Sequence, residues 1–323
     1  MRVVVLGAGG ARKTETSIAR AARELGHDCR LVNVVTWTRY AGPFAPRAIR
    51  YAAESYDPDF VVLTRHAILT GEGELRALLR GRRAAFWYFD LPPRPQVLAL
   101  ARLVGSMYVT SPGQVEHYRA AGVDEVRFLP QGVDPVRDRP ARSTPPELVC
   151  DASFVGSGQY PHRYAVLRAV GAACRLQIRG PRWQGAPAEL PVVGGPVHGR
   201  RLRQVIRGAA ISLGANASAE QDTEPASASN RMWRILGGGG FYMGQHVPEI
   251  DAFAADRRHC VWYRSAEQAA ELARHYLAHP DERQRIADAG RAHALEHHTY
   301  ARRLELLLSG QSYQLAMPPQ TSV

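Results

Sequence analysis

The segment "ASFVGSGQYPHRY" carries the most explicit chemistry in the chain. An apolar strand ends at Val155, Gly156-Ser157-Gly158 free the backbone, and Arg163 enters the next helix. Backbone amides, a hydroxyl and a guanidinium in that order can hold a diphosphate. A second group precedes a helix. Ser229, Asn230 and Arg231 stand before Met232, Trp233, Ile235 and Leu236, which form one apolar face, and Gly237 to Gly240 end the helix ahead of the strand "FYM". The start of such a helix presents unpaired N–H groups and a positive dipole end to phosphate. In the first half, "VVLTRHA" and "FWYFDLPP" set His66 and Asp90 just past strands, as acid/base or sugar-binding groups. Asp90, before Leu-Pro-Pro, can instead cap a turn.

Three motifs fall short of known sites. "VVVLGAGGARKTETS" approaches both the P-loop and the Gly-x-Gly-x-x-Gly dinucleotide loop, but Arg12 occupies the glycine each requires. Gly9 and Gly10 still offer a turn at which a ligand can approach the backbone. "HALEH", His293 to His297, matches the His-x-x-Glu-His zinc pattern. So short a match is cheap in a chain with 12 histidines, and the segment reads as a solvated helix, with no metal site expected.

Strands alternating with helices must position these groups. "RVVVLG", "CRLVNV", "FVVLT", "AAFWYF", "SMYVTS" and "EVRFLP" read as six strands with helices between them. "DPVRDRPARSTPP", 134–146, has four prolines and no apolar periodicity, and reads as an interdomain linker. The alternation then restarts through "LVCDASFVG", "CRLQIRG", "AISLGA", "FYM" and "HCVWYRS". The expected fold class is α/β, two Rossmann-like doubly wound domains facing a cleft. The first spans 1–138 and the second 147–299. A helix over 300–310 crosses back to the first domain, and 311–323 form a disordered tail.

The bulk composition fits a soluble globular protein of 323 residues, 45% hydrophobic and 22% charged. No run reaches the roughly 18 apolar residues of a membrane span. "MRVVVLGAGG" is too short and glycine-rich for a secretion signal and reads as a first strand. Four scattered cysteines without a CxxC pair suit reduced thiols in the cytoplasm. The net charge of +11 invites an anionic ligand, nucleic acid included, yet the basic residues are dispersed and Lys13 is the one lysine.

The layout resembles the GT-B glycosyltransferases, and within them the CgeB-like (spore maturation protein-like) family with its glycosyltransferase-1-type C-terminal domain. "FVGSGQYPHR" looks like the opening of that family's second domain and "LPQGVDP" like the turn before its linker. "SNRMWRILGGGGF" resembles its Arg-x-Phe/Trp-Glu helix. The run "HCVWYRSAEQAAELARHYLAHPDERQRIADAGRAHALEHHTYARRLELLL" resembles its C-terminal end.

The resemblance implies a hexosyl- or pentosyltransferase that takes a nucleotide sugar as co-substrate, with no cofactor and no obligatory metal. Gly156, Ser157, Arg163, Ser229, Asn230, Arg231 and Arg234 would bind the donor, with the base near Val197–Leu202 or Ile178–Trp183. Gly9, Gly10 and Arg65 would contact the acceptor, and Asp90 or His66 would take its proton. One departure matters. Relatives carry Glu where this chain has Arg234, and retaining relatives carry a second Glu where it has Ala226; a guanidinium accepts no hydrogen bond from ribose. Arg234 can instead bind a phosphate or pair with a carboxylate such as Glu224. Two alternatives follow: a DNA-modifying glycosyltransferase acting on hydroxylated bases, and a catalytically degenerate GT-B-like protein that binds a nucleotide or a partner.

Overall fold

The structure, a computed structural model, describes residues 1–90 and 94–315. It divides into two units, Met1–Gln131 with Tyr300–Gln314, and a second formed chiefly by Gly132–Thr299. No described helix is long and apolar enough to cross a membrane.

Six parallel strands build the first unit: β1 (Arg2–Gly7), β2 (Asp28–Asn33), β3 (Phe60–Leu63), β4 (Arg83–Trp87), β5 (Ser106–Val109) and β6 (Glu125–Phe128). They lie in the order β2-β1-β3-β4-β5-β6. Val3 to Leu6 and Phe60 to Leu63 are buried on both faces of the sheet. That is why these strands read as unbroken apolar runs rather than alternating ones. The order reverses direction between β1 and β3, and there the connections diverge and leave a crevice at the carboxyl ends.

The helix Tyr300–Leu308 returns to this unit and packs on the helix Thr14–Glu24. It buries Leu304, Leu307 and Leu308 with Arg303, whose side chain is fully enclosed. Arg303 Nε donates to the Pro130 carbonyl at 3.1 Å, and its guanidinium lies 4.3 Å over the Tyr313 ring. Burial pulls its pKa down to about 10. Disorder was expected from Gln311 onward. Instead Gln311 donates to the Leu306 carbonyl and Tyr313 to the Phe128 carbonyl at 2.7 Å, so the Tyr313 ring covers the buried guanidinium. Residues 316–323 lie outside the described residues.

The second unit repeats the plan with β7 (Cys150–Val155), β8 (Leu176–Arg179), β9 (Val192–Gly194), β10 (Ala209–Leu213), β11 (Tyr242–Gln245) and β12 (Val261–Tyr263). The parallel order is β12-β11-β10-β7-β8-β9. Counted from its own first strand, that is the 3-2-1-4-5-6 order of dinucleotide-binding sheets, with its switch point between β7 and β10.

The expected linker over 134–146 is part of this unit. Asp134 Oδ1 accepts from the Val136 and Arg137 amides at 3.1 Å, and Arg137 pairs with buried Asp138 at 2.8 Å. Thr144 Oγ1 donates to the Gln204 carbonyl at 3.1 Å. The boundary is therefore Gln131/Gly132. Prolines in this segment fix turns; they do not loosen the chain.

Candidate functional site

At the β7/β10 switch point lies a cavity of about 300 Å³. Ser153 and Val155 of β7 and Ser212 and Leu213 of β10 form its floor. Gly156 and Ser157 come from the loop after β7, and Asn230, Arg231, Arg234 and Ile235 from the helix Asn230–Gly237. The segments Gly180–Pro181 and Pro196–His198, with Leu202, close the remaining side. The loop after β7 is held in place by a tight crossing. A Cβ on Gly180, whose φ is +149°, would come 1.8 Å from the Gly156 carbonyl oxygen, so only glycine fits. Trp183 Nε1 donates to that same oxygen at 3.0 Å.

Three polar atoms on this wall are buried without a hydrogen-bond partner: Ser157 Oγ, Ser212 Oγ and Asn230 Oδ1. Each orphaned buried oxygen costs the desolvation of a polar group, and a ligand seated in this cavity would satisfy these three. The charge is unbalanced as well. Arg231 donates to the Val155 carbonyl at 2.8 Å and lies 4.6 Å over the Phe154 ring. Arg163 donates to the carbonyls of Ser157, Ala215 and Asn216. Among the described residues no carboxylate pairs with either. Burial, reinforced by the charge of Arg231, pulls the Arg163 pKa down to about 9, and burial also lowers that of Arg231.

Arg163 was expected to face a diphosphate and does not border the cavity. Its guanidinium is spent on three carbonyls and fixes the two loops that form the wall. Ser229 also stays outside, with its hydroxyl bonded to Tyr242. Ala226 is fully buried in a left-handed conformation, φ +46°, with its amide on the Pro248 carbonyl at 2.7 Å. A glutamate there would be buried and held at a positive φ, a conformation that costs a side chain energy.

The first unit has its own crevice at the β1/β3 switch point. The turn Arg65–Thr70 follows β3, and His66 Nδ1 lies 3.0 Å from Glu15 Oε1. The same oxygen accepts from Thr64 Oγ1 at 2.8 Å and the Ala8 amide at 3.2 Å. Burial alone would raise the Glu15 carboxyl; the hydrogen bonds from His66, the backbone and Thr64 outweigh it and hold the pKa below the ordinary value. Glu15 is thus an anion that accepts only, so His66 carries its proton on Nδ1 and leaves Nε2 with a free lone pair. A Cβ on Gly7 would come 2.5 Å from Thr64 Oγ1 and 2.6 Å from Glu15 Cγ, so β1 must end in glycine to admit this cluster.

A cavity of about 360 Å³ borders His66 together with Arg65, Tyr88, Asp90, Arg94 and Gln96. The structure thus brings together Arg65, His66 and Asp90. Asp90 is engaged in an ion pair with Arg65, while the Nε2 lone pair of His66 lies on the same cavity wall. Residues 91–93, the Leu-Pro-Pro after it, lie outside the described residues. Gly9 and Gly10 do not border this cavity. Gly10 shapes the turn, its carbonyl accepting from Lys13 N and Thr16 Oγ1.

The reading of "HALEH" as a solvated helix needs one correction. His293 is half buried, stacked on His259 at 4.0 Å with Nε2 on the Phe253 carbonyl, so its ring is committed to packing. Among the described residues no group of three His, Cys, Asp or Glu side chains can hold a metal ion. Glu15 was missed because its partners lie 49 and 51 residues away. Its one local signal is an acidic residue in the first turn of a helix directly after a glycine loop.

Residues 163–309 match a family model described as Glycosyl transferase-like. No curated protein matches the sequence. Among solved structures, the chain is similar to a glycosyltransferase from Rickettsia africae, at 13% identity and a TM-score of 0.65, over 95% of this chain and 97% of that one. It is also similar to Anabaena HepE in complex with UDP-glucose, at 12% identity and a TM-score of 0.66, over 96% and 100%. A third is AviGT4, a glycosyltransferase involved in avilamycin A biosynthesis, at 20% identity and a TM-score of 0.60, over 97% and 100%. The chain has the GT-B fold.

Proposed function

We propose that this protein transfers a sugar from a UDP-sugar to an acceptor hydroxyl. The observation that carries the reading is the cavity at the β7/β10 switch point, where orphaned oxygens and the Arg231 guanidinium, paired with no carboxylate among the described residues, call for an anionic, hydroxyl-bearing ligand. The diphosphate lies against Gly156, Ser157, Asn230 and Arg231, and the base against Pro181 and Pro196–His198. HepE, of the same fold, is the source of the UDP-glucose assignment.

The donor is held by the second unit and the acceptor is presented by the first. The acceptor oxygen attacks the anomeric carbon while the bond from that carbon to the phosphate oxygen breaks. Its electron pair leaves on UDP, where Arg231 and Arg234 stabilise the developing charge. The acceptor proton passes to His66 Nε2, and Glu15 steadies the imidazolium that forms. A single displacement of this kind inverts the anomeric centre. Two guanidiniums supply the charge that a divalent ion otherwise gives a departing diphosphate, so the reaction proceeds without an obligatory metal.

The run ending His298-Thr299-Tyr300 supports the CgeB-like branch, and the free, mostly buried cysteines suit a cytoplasmic protein. Incubation with UDP-glucose and chelator, followed by measurement of released UDP, tests the reading. UDP release slowed about a hundredfold or more by His66→Ala is the expected result. Release that vanishes with chelator, or is not slowed in that variant, contradicts it.

A further inference from the structure

A second, larger cavity, about 720 Å³, opens at the opposite end of the central strands of the second sheet. It is bordered by Cys150 and Asp151, which begin β7, by Ala209 and Ala210, which begin β10, and by Phe241 just before β11. These are the amino ends of parallel strands, remote from the carboxyl ends where such sheets hold their usual ligands.

Its walls carry four guanidiniums, Arg175, Arg207, Arg283 and Arg291, against two carboxylates, Asp151 and Asp288. Both carboxylates are occupied elsewhere. Asp151 accepts from the Arg175 backbone amide at 2.9 Å, and Asp288 from Gln284 Nε2 at 2.9 Å. Among the described residues, no carboxylate pairs with Arg207, Arg283 or Arg291. Some arginines elsewhere on the surface do have carboxylate partners, as Arg50 does with Glu54 and Glu74 and Arg76 with Glu72.

Arg291 is the most telling of the four. Its Nε is buried without a hydrogen-bond partner, and its Cδ stands 3.4 Å from where Gly239 would carry a Cβ. A buried donor left unmade costs more than a made bond returns, so an anion seated in this cavity would gain by meeting it. Arg283, on the same helix, is half buried, and burial lowers its pKa below the ordinary arginine value. All four arginines border one concavity, although the Arg175 guanidinium donates to the Val149 carbonyl at 2.9 Å and that of Arg283 to the Tyr276 carbonyl. They form no stripe along a face, which suits a compact anion and not a duplex.

We propose that this cavity is a second anion site, which takes a small, multiply charged phosphate compound: free pyrophosphate or a phosphorylated sugar. The proposal does not rest on the transferase reading. Ile206 borders both cavities, so the test must separate them.

The test is calorimetric titration of the full chain with inorganic pyrophosphate at about 0.15 M salt, where diffuse surface attraction is screened. Glucose 6-phosphate is run in parallel. The variants are Arg283→Ala with Arg291→Ala, and separately the exposed Arg207→Glu, each checked for an unchanged melting temperature. Arg231→Ala serves as the control for the cavity at the carboxyl ends. The expected result is binding that each back-cavity variant weakens roughly tenfold or more, and that survives in Arg231→Ala. The tighter of the two probes then identifies the source of the phosphate. No binding of either probe, or binding that only Arg231→Ala weakens, overturns the proposal.

Discussion

Arg163 and Arg231 donate to one and the same acceptor, the Ala215 carbonyl oxygen, at 3.2 and 3.3 Å. Both guanidiniums also lie over the Phe154 ring, at 5.6 and 4.6 Å. Two desolvated like charges share a neutral oxygen and an aromatic face, with no carboxylate between them. Such a pair is costly until an anion arrives, and only Arg231 reaches the cavity to meet it. The two arginines therefore separate by role, Arg231 as ligand contact and Arg163 as the brace of the loops around it.

That division predicts different losses. Arg231→Ala should weaken UDP binding by about 10- to 100-fold, the value of one charge-assisted hydrogen bond, as read by calorimetry. Arg163→Ala should lower the melting temperature as well, because the Ser157 and Asn216 carbonyls lose this donor and Ala215 keeps only Arg231. Equal melting temperatures with a large affinity loss in both variants would contradict the distinction.

Arg234 borders the same cavity, at the position where the resemblance to the GT-B family implies a glutamate. If it holds phosphate, Arg234→Glu sets a like charge against the donor, and UDP affinity should fall by tenfold or more. Activity that improves in this variant would instead mark a damaged ribose site.

In the first unit the Glu15–His66 pair predicts a kinetic signature. His66→Ala should cost about 10²- to 10⁴-fold in kcat, the usual worth of a positioned base. Glu15→Gln leaves the ring in place but removes the charge that steadies its protonated form. It should lower kcat by a smaller factor with KM nearly unchanged, and initial rates over a range of donor concentrations give that split.

Acid stability carries a sign fixed by His259. Burial first, then the neighbouring His293, Arg258 and His297, pull its pKa from the ordinary 6.5 down to about 4. Between those values the unfolded chain binds the proton and the folded chain does not. Stability is therefore complete above about pH 6.5 and declines as pH falls toward 4, by at most about 1.4 kcal/mol per pH unit for this group. His259→Gln should flatten that slope in urea unfolding measured across the window.

How far the sequence led can be judged from particular residues. Val3–Leu6 and Phe60–Leu63 were legible as strands because both faces of a parallel sheet are buried, so apolar residues run without a break. Gly156, Ser157, Asn230 and Arg231 were legible as one site because a strand end and a helix start recur in a fixed order. The segments 178–183 and 197–202, named for the base, both supply walls of that cavity. The direction of the Arg163 side chain was not legible, since a guanidinium on a long stem reaches a phosphate or a carbonyl equally well. Nor was Glu15, whose meaning depends on Thr64 and His66 brought alongside by β3. The prolines of 134–146 misled for a related reason, because composition alone does not distinguish a loose linker from a fixed turn.

The most direct test of the central claim is a thermal-shift titration of the unmodified chain with UDP and UDP-glucose, beside GDP, ADP and TDP. At 100 times its dissociation constant a ligand of the folded state adds about 2.7 kcal/mol of stability. A clear shift with the uridine compounds, absent from the others and reduced in Arg231→Ala, is the predicted result. No shift with any uridine compound would contradict the account.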